Sequence, residues 1–372
     1  MSEVLIHSFV NAAGEETTQP VSPKGGVCPQ SAEELRRIAI DYMYAMAKVR
    51  WTASSRIDYT FNNDSLIYEP GQTYLGMIYN NCRNGLENFR NALDGDGVYK
   101  LEDIGWDTAP GNSCATSIRH AWQLISPDVE FLYSVDMMPW YDYSHVLPVG
   151  GIDWTLYDGN NTAESILPNT HKQVILEAYA QALPADGFMR YLGSKGGHAL
   201  MVTLPPDVVR KDDGSIDPEE SFVYLTDQNN KMNTFREHPS TWKVDRKVSF
   251  EKAYTDGWLP VTVRELREGQ APAPVFEVLR RPTADALAAG QMDTAVRCNY
   301  CLVTLQMDLR AEGAEGLLAA AELHPYTREV SLASMAGDLH LADLAPGTYR
   351  LTVSARVGLG DAVLFEEVFT KS

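Results

Sequence analysis

One short stretch of the chain organises the interpretation of the rest, Gly111-Asn112-Ser113-Cys114-Ala115-Thr116-Ser117-Ile118-Arg119-His120-Ala121-Trp122. Its polar residues ahead of the cysteine can cap a helix, which is predicted to run from about Ser113 to Ile125 and to end at Ser126-Pro127. Cys114 then lies in the first turn, where exposed N–H groups and the helix dipole favour a nucleophilic thiolate. The alternative interpretation is a small, buried, structural cysteine.

His198 is the candidate base for such a thiolate among the eight histidines. Five residues, 193–197, include three glycines and deliver His198 to the mouth of an apolar strand predicted over 198–204. A strand end holds an imidazole rigidly, and glycines allow close approach of a substrate. His120 is a poorer candidate because it lies about 120° away from Cys114 around the helix, at roughly 100° per residue. The competing interpretation of His198 is a strand-edge histidine without a partner.

A third polar residue is expected where the next strand, predicted over 222–226, ends in Asp227-Gln228. An antiparallel neighbour brings one of these two side chains beside His198, and the two-residue period of a strand prevents both from facing it. Asp227 would orient the imidazole and stabilise its cation, whereas Gln228 would only orient it. Asp227 is therefore the preferred third residue and Gln228 the alternate.

The order Cys114, His198, Asp227 resembles the papain-like cysteine peptidase superfamily, specifically its NlpC-like bacterial branch. Similar to the motifs of that branch are Tyr74-Leu75-Gly76-Met77-Ile78-Tyr79, the Ser/Thr-rich helix that ends in Ala121-Trp122, and Leu183-Pro184-Ala185-Asp186-Gly187 before the histidine strand. The last of these departs from the family's Pro-Gly-Asp order. The resemblance covers about Trp51 to Pro260.

The resemblance implies an α+β fold in which the nucleophile helix packs on a small antiparallel sheet. It implies a cysteine peptidase or amidase that cleaves peptide or amide bonds through an acyl-enzyme, with bacterial cell-wall peptides, including γ-linked D-glutamyl ones, as the substrate class. Cys114 would attack, His198 would carry the proton and Asp227 would orient His198, without cofactor or metal. Substrate contacts are expected from Tyr79, Tyr74, Trp51 and Trp140.

The chain is expected to contain two domains. The papain-like domain is predicted over residues 1–267, with a capped helix starting at Ser31 and an aromatic-rich insertion at about 128–169 that either walls the cleft or forms a satellite core. A linker rich in Gly, Ala and Pro follows at 268–282. Alternating apolar and polar runs separated by turns then predict an immunoglobulin-like β-sandwich at 283–372.

Composition limits the partners. The 372 residues carry 31 Lys and Arg against 50 Asp and Glu, a formal net charge of −19, so nucleic acid is not expected as a partner. The apolar runs are too short to predict a membrane span. We expect a peptide or peptidoglycan-fragment substrate, with docking to a surface or cell wall through the C-terminal domain.

The location of the protein is left open by the sequence. No export signal is visible, which predicts a cytoplasmic protein. A wall-directed peptidase with an immunoglobulin-like tail would instead work in the cell envelope or outside the cell once a signal had been removed. Recycling of imported wall peptides would reconcile the two.

Two other functions compete with the hydrolase. The same triad would serve an acyltransferase or transglutaminase-like enzyme, in which an amine replaces water, and a non-catalytic surface-binding protein would keep Cys114 buried and unreactive. Two further motifs are not expected to bind metal: Cys298 and Cys301 lack a second ligand pair, and Asp94-Gly95-Asp96-Gly97 lacks the remaining features of a calcium loop.

Overall fold

The computed structural model describes residues 31–60, 66–100, 102–130, 133–134, 136–139, 145–153, 163–191, 196–234 and 237–372, together with the backbone of strand β1 (Pro20–Val21). The chain divides into two compact units. The central unit is Gln30–Ala271, and the terminal unit combines Met1–Pro29 with Pro272–Ser372. Both contain helices and antiparallel sheets, so the fold class is mixed α+β.

The central unit contains most of the helices and all the residues of the predicted triad. Its helices are α1 (Ala32–Lys48), α2 (Leu86–Asn91), α3 (Cys114–Gln123), α4 (Ala163–Asn169), α5 (Lys172–Gln181), α6 (Phe250–Thr255) and α7 (Arg264–Glu268). Its strands are β2 (Arg50–Ala53), β3 (Ile57–Asp58), β4 (Ile67–Tyr68), β5 (Thr73–Leu75), β6 (Val98–Tyr99), β7 (Val146–Pro148), β8 (Gly187–Tyr191), β9 (Gly197–Asp207), β10 (Phe222–Asn233), β11 (Ser240–Ser249) and β12 (Leu259–Val263).

A six-stranded antiparallel sheet in the order β11-β10-β9-β8-β12-β7 forms the frame of the central unit. Helix α3 packs against β9 and β10, and α1 packs against α3. The middle of β9, residues 199–202, is completely buried, which explains why this run is continuously apolar rather than alternating. Because α3 lies over β9 and β10, its first residue, Cys114, comes close to His198 at the beginning of β9, and His198 in turn contacts Asp227 in the middle of β10.

Helix α1 begins as predicted. The Ser31 hydroxyl accepts a hydrogen bond from the Glu34 backbone N–H, and the Glu34 carboxylate accepts one from the Ser31 N–H in return. This capping box satisfies two of the N–H groups that a helix start leaves without partners. The buried face of α1 includes Leu35, Ala39 and Met43, so the periodicity of the sequence matches the face that packs inward.

The turn before β8 ties α1 and α3 to the sheet. Ala185 has φ of 76°, in the left-handed region that glycine favours, and its carbonyl accepts a hydrogen bond from Trp122 Nε1 at 2.9 Å. The next residue, Asp186, is buried and pairs with Arg36 of α1 at 2.9 Å. The Arg36 guanidinium also donates to the carbonyl of Pro184 at 2.6 Å.

The terminal unit consists mainly of two antiparallel sheets. Its further elements are β13 (Phe276–Arg280), α8 (Ala284–Ala288), β14 (Ala295–Leu302), β15 (Thr304–Ala311), β16 (Leu317–Leu323), β17 (Thr327–Ser331), α9 (Met335–Asp338), β18 (Gly347–Val357) and β19 (Gly360–Lys371). One sheet has the order β1-β13-β14-β17 and the other β16-β15-β18-β19, and β14 contacts β18 across the two.

Two short strands of the terminal unit, β1 and β13, lie outside the range 283–372 predicted for the C-terminal domain. Strand β1 lies in the range predicted for the papain-like domain but pairs with β13, and Val21 opposes Phe276. The predicted linker 268–282 contains strand β13, which is only five residues long and follows a proline-rich segment, so its period is hard to recognise in the sequence. Among the described residues, none of the helices is long and apolar enough to cross a membrane.

Candidate active site

Cys114, His198 and Asp227 come together in the central unit. Cys114 is the first residue of α3, His198 is the second residue of β9, and Asp227 lies in the middle of β10. Antiparallel pairing of β9 with β10, in which Thr226 opposes Met201, places the histidine and the aspartate on neighbouring strands. The structure therefore brings together three residues from separate helices and strands, the outermost of which are more than a hundred positions apart in the chain.

The Cys114 thiol lies at a helix start that no side chain caps. Ser113 is the N-cap residue with extended backbone, but its hydroxyl bonds with the Thr116 hydroxyl (3.1 Å) instead of a backbone N–H. The side chain of Cys114 is partly exposed, whereas the residues from Ala115 onward in α3 are buried. An uncapped helix start offers N–H groups and a positive dipole end to a negative group at this position.

The imidazole of His198 is held by Asp227. His198 Nε2 lies 2.9 Å from Asp227 Oδ2, and the histidine side chain is 20% exposed while the aspartate is 1% exposed. Because Nε2 is engaged with the carboxylate, the other ring nitrogen, Nδ1, is left to interact with Cys114. The indole of Trp258 packs edge-on against the imidazole, with 5.8 Å between the ring centroids.

The three groups shift one another's pKa values toward a charged pair. Burial would raise the pKa of Cys114, but the charge and hydrogen bond of His198, with backbone hydrogen bonds from Ala199 and Ala115, lower it. Burial would lower the pKa of His198, but the Cys114 thiolate and the bond to Asp227 raise it to about 9. Both shifts favour the thiolate–imidazolium form of the pair over its neutral form.

Asp227 carries the balancing negative charge. Burial would raise its pKa, but the hydrogen bond and charge of His198, followed by the charges of Arg246 and Lys243, lower it. Arg246 Nη2 lies 3.6 Å from Asp227 Oδ1, and Asn229 Nδ2 lies 3.4 Å from Oδ2. The carboxylate is thus ionised in spite of being almost completely buried.

A cleft of about 370 Å³ opens onto Cys114. Aromatic side chains, amides, hydroxyls and backbone make up its lining, which consists of Tyr79, Asn80, Asn81, Trp106, Ser113, Cys114, Ala115, Tyr133, Ser134, Tyr191, Gly196 and Gly197. Gly197 has no room for a side chain, because a Cβ atom there would overlap the Ser134 hydroxyl and lie 2.9 Å from the Arg190 carbonyl oxygen. The glycine next to His198 therefore brings the wall of the cleft close to the imidazole.

Tyr79 reaches the site through a short backbone pairing. The N–H of Asn80 donates to the carbonyl of Asn112 at 2.9 Å, and the N–H of Asn112 donates to the carbonyl of Ile78 at 3.1 Å. This pairing fixes Tyr79 beside the start of α3, where its ring also contacts Trp106. Burial, and then the nearby Cys114, raise the pKa of Tyr79, so its hydroxyl keeps its proton.

Two of the residues predicted to contact substrate lie in the core instead. Trp51 and Tyr74 are 1% and 3% exposed and stack on each other with 5.1 Å between centroids, and Trp51 Nε1 donates to the Gly76 carbonyl. Strands β2 and β5 carry these rings into an aromatic cluster, in which Trp51 contacts Phe89 and Tyr74 contacts Tyr68, and neither ring lines the cleft. The expectation for Trp51 and Tyr74 is therefore corrected, and Trp140 lies outside the described residues.

Gln228, the alternate third residue, faces away from His198. Its Nε2 donates to the carbonyl of Met77 at 2.8 Å, in a fully buried position. As the two-residue period of a strand requires, Asp227 and Gln228 occupy opposite faces of β10, and Asp227 is the one beside the imidazole.

Sequence reasoning missed two groups around the triad. Trp258 precedes β12, and nothing in its local sequence connects it with the histidine strand. Arg246 belongs to the run Lys243-Val244-Asp245-Arg246-Lys247, where a regular two-residue period would put Lys243 and Arg246 on opposite faces. The structure brings both near Asp227, because β11 departs from regular pairing there.

Metal ligands are not gathered at this site. Within the described part of the chain, no group of three or more His, Cys, Asp or Glu side chains is arranged to hold a metal ion. Comparison of the chain with protein-family models, with curated proteins and with solved structures gave no match.

Proposed function

We propose that the protein is a cysteine hydrolase that cleaves peptide or amide bonds. The observation that carries the proposal is the position of His198 between Cys114, which lines an open cleft, and a buried Asp227, with 2.9 Å from Nε2 to the carboxylate. An imidazole oriented by a third group beside a thiol at a helix start is the arrangement that nucleophilic catalysis requires. A purely structural cysteine would not need it.

The reaction proceeds by acyl transfer. The Cys114 thiolate attacks the carbonyl carbon of the scissile bond, and the His198 imidazolium donates its proton to the departing amine. Water then attacks the thioester while His198 takes a proton from it, and cleavage of the C–S bond releases the acid and restores the thiolate–imidazolium pair. Asp227 orients the imidazole and stabilises its positive charge in each cycle.

Two groups are suited to stabilise the oxyanion that forms in each addition step. One is the backbone N–H of Cys114 at the uncapped start of α3. The other is the Tyr79 hydroxyl, which borders the cleft and remains protonated because burial, and then Cys114, raise its pKa. Both are hydrogen-bond donors fixed before the substrate arrives.

The relation to the NlpC-like branch of papain-like peptidases is part of the proposal. The positive φ of Ala185 supports it, because Pro184-Ala185-Asp186 then corresponds to the family's Pro-Gly-Asp turn with alanine where glycine is usual. By the same resemblance the substrates are cell-wall peptides. The immunoglobulin-like character of the terminal unit, and a docking role for it, are proposed from its two antiparallel sheets.

The first test is the pH dependence of Cys114 alkylation by iodoacetamide, followed by mass spectrometry. We expect labelling to persist well below the ordinary thiol pKa of about 8.5, and to weaken at low pH in His198→Ala. Cys82 is an internal control in the same sample, because burial, then Asp107 and Asp103, raise its pKa. Equal labelling of Cys114 in wild type and His198→Ala would contradict the proposal.

The second test is turnover. Cell-wall peptides, including γ-D-glutamyl ones, are incubated with wild type and with Cys114→Ala, and the newly formed amines and acids are measured. Release by the wild type alone supports hydrolysis. Adding a primary amine distinguishes the transferase alternative, because that enzyme would form an amide with the added amine instead of the free acid.

A further inference from the structure

The pairing of β10 with β11 changes register at the level of the triad. Leu225 opposes Arg246 and Asp227 opposes Lys243, so two steps along β10 correspond to three along β11. A bulge of this kind bends a strand and redirects its side chains. Because directly opposed residues share a face, the extra residue puts both Lys243 and Arg246 on the face of the sheet that carries Asp227.

Asp245 is the bulge residue that makes this arrangement possible. Its φ is 50°, in the left-handed region that only a few non-glycine residues adopt. Its backbone N–H donates to the Thr226 hydroxyl at 3.1 Å, and its carboxylate accepts hydrogen bonds from Tyr44 (2.6 Å) and Thr203 (2.7 Å). Helix α1 and strands β9 and β10 thus all hold this one residue in place.

Lys243 and Arg246 lie near Asp227, a buried carboxylate that depends on neighbouring positive charge to stay ionised. Asp227 Oδ1 accepts no hydrogen bond from the described residues and is buried. The charged groups that act on this carboxylate are His198 from β9 and Arg246 and Lys243 from β11. A buried carboxylate without such partners takes up a proton, and in its neutral form it no longer stabilises the charge of a neighbouring imidazolium.

We propose that Arg246 is a positioning residue of the triad, and that the Asp245 bulge, anchored by the Tyr44 hydroxyl, holds Arg246 where it keeps Asp227 ionised. This inference rests on the proposed function, since it assigns the group that keeps His198 oriented and charged. It explains why an aspartate at 1% exposure is able to serve as the third residue.

The test is an NMR titration of the Asp227 carboxyl in the full-length protein, isotope-labelled at aspartate side-chain carboxyl carbons and assigned by loss of the signal in Asp227→Asn. We expect Arg246→Gln to raise the pH at which Asp227 takes up its proton by roughly one unit, the low end of the effect of a neighbouring opposite charge. Arg246→Lys restores most of the wild-type value. Tyr44→Phe produces a smaller upward shift, because the bulge loses one of its anchors.

Two matched controls separate this effect from a general loss of stability. Arg210→Gln removes a guanidinium that pairs with Glu177, and Tyr42→Phe removes a hydroxyl of the same helix α1 that donates to Glu87 at 2.8 Å. Neither should move the Asp227 titration. No shift in Arg246→Gln, a downward shift, or no shift in Tyr44→Phe would overturn the inference.

The outcome is independent of the test of function. If His198→Ala leaves Cys114 labelling unchanged, the hydrolase proposal fails whatever Asp227 does. If His198→Ala slows labelling but Arg246→Gln leaves the Asp227 titration where it was, the hydrolase proposal stands and only the positioning role of Arg246 fails.

Discussion

At the scale of the residue, the candidate site depends on three charged side chains that stabilise one another although they are largely buried from solvent. None of Cys114, His198 and Asp227 would keep its charge by itself, because burial opposes the charged form of each. Their types and positions were predictable, since a cysteine after N-cap residues and a histidine at a strand end are local patterns. The supporting Arg246 was not predictable, because a bulge has no reliable signature in one sequence.

Asp227→Asn should lower the pKa of His198 from about 9, because an amide still accepts the Nε2 hydrogen bond but cannot balance the imidazolium charge. A histidine whose pKa is raised in the folded protein stays mostly protonated up to that pKa. The Asp227→Asn substitution therefore makes His198 lose its proton at a lower pH than in the wild type. We expect a downward shift of about one to two units in the NMR titration of His198.

Gln228→Ala is the contrasting variant. It should leave the His198 titration unchanged, since Gln228 lies on the other face of β10. It should lower the free energy of unfolding by about 0.5 to 1.5 kcal/mol, because the buried Met77 carbonyl loses one of its two donors and keeps the other, Trp242 Nε1. A shifted His198 titration in this variant would return Gln228 to consideration as the third residue.

At the scale of the element, short-range patterns in the sequence predicted more than long-range pairing. The capping box at Ser31 and the buried face of α1 were predictable because i and i+4 neighbours are local. The run 339–344, one of the alternating runs on which the sandwich prediction rests, is not a strand: the structure has the end of α9 next to it and a 3₁₀ turn at Leu341–Asp343. Alternation over six residues does not distinguish a strand from a turn whose apolar side chains pack inward.

The buried pair between Arg36 and Asp186 should be important for how α1 is held on the sheet. Arg36→Met is expected to cost about 3 to 5 kcal/mol at neutral pH, because it leaves a buried carboxylate without its cation. Burial already raises the pKa of Asp186, and Arg36 opposes this. Without Arg36 the folded protein therefore binds a proton that the unfolded chain does not, so the loss of stability shrinks as the pH falls and grows as it rises.

Urea unfolding at neutral and mildly acidic pH measures this dependence. Arg36→Met/Asp186→Asn should recover most of the stability, since the unpaired charge is then absent. Arg37→Met on the same helix is the matched control, because Arg37 and Asp41 are both largely exposed and their pair should contribute little. A loss of equal size at both pH values would contradict the expected role of Asp186.

The glycine beside His198 determines how closely β9 approaches the loop that carries Ser134. Gly197→Ala should destabilise the protein by about 1 to 3 kcal/mol and slow Cys114 labelling, because the added methyl group overlaps the Ser134 hydroxyl. Ser134→Ala in the same chain should recover part of both effects. Gly95→Ala, where no atom lies within 4 Å, is the control and should change neither the unfolding curve nor the labelling rate.

At the scale of the whole molecule, the chain forms two units, and the candidate site lies entirely in the central one. The helices and strands that carry Cys114, His198 and Asp227 all fall within 30–271. The sequence predicted two domains, but it did not reveal that strand β1 pairs with β13. A two-residue strand such as β1 is too short to produce a periodic pattern.

A fragment containing residues 30–271 should fold by itself and label at Cys114 as fast as the full chain. Its core, its sheet and the described contacts of the triad are all within this segment. Circular dichroism and the pH profile of iodoacetamide labelling check the two parts of this prediction. A fragment that folds but labels as slowly as His198→Ala would show that the site depends on the terminal unit.

The pairing of β1 with β13 also fixes an order of events during synthesis on the ribosome. Val21 is translated before the central unit, whereas its partner Phe276 emerges only after the whole central unit has been translated. The central unit is thus able to fold before β1 has a partner strand to pair with, since domains fold as units while the chain grows. The sheet that contains β1 is therefore completed late, through one of the most distant strand pairings in the chain.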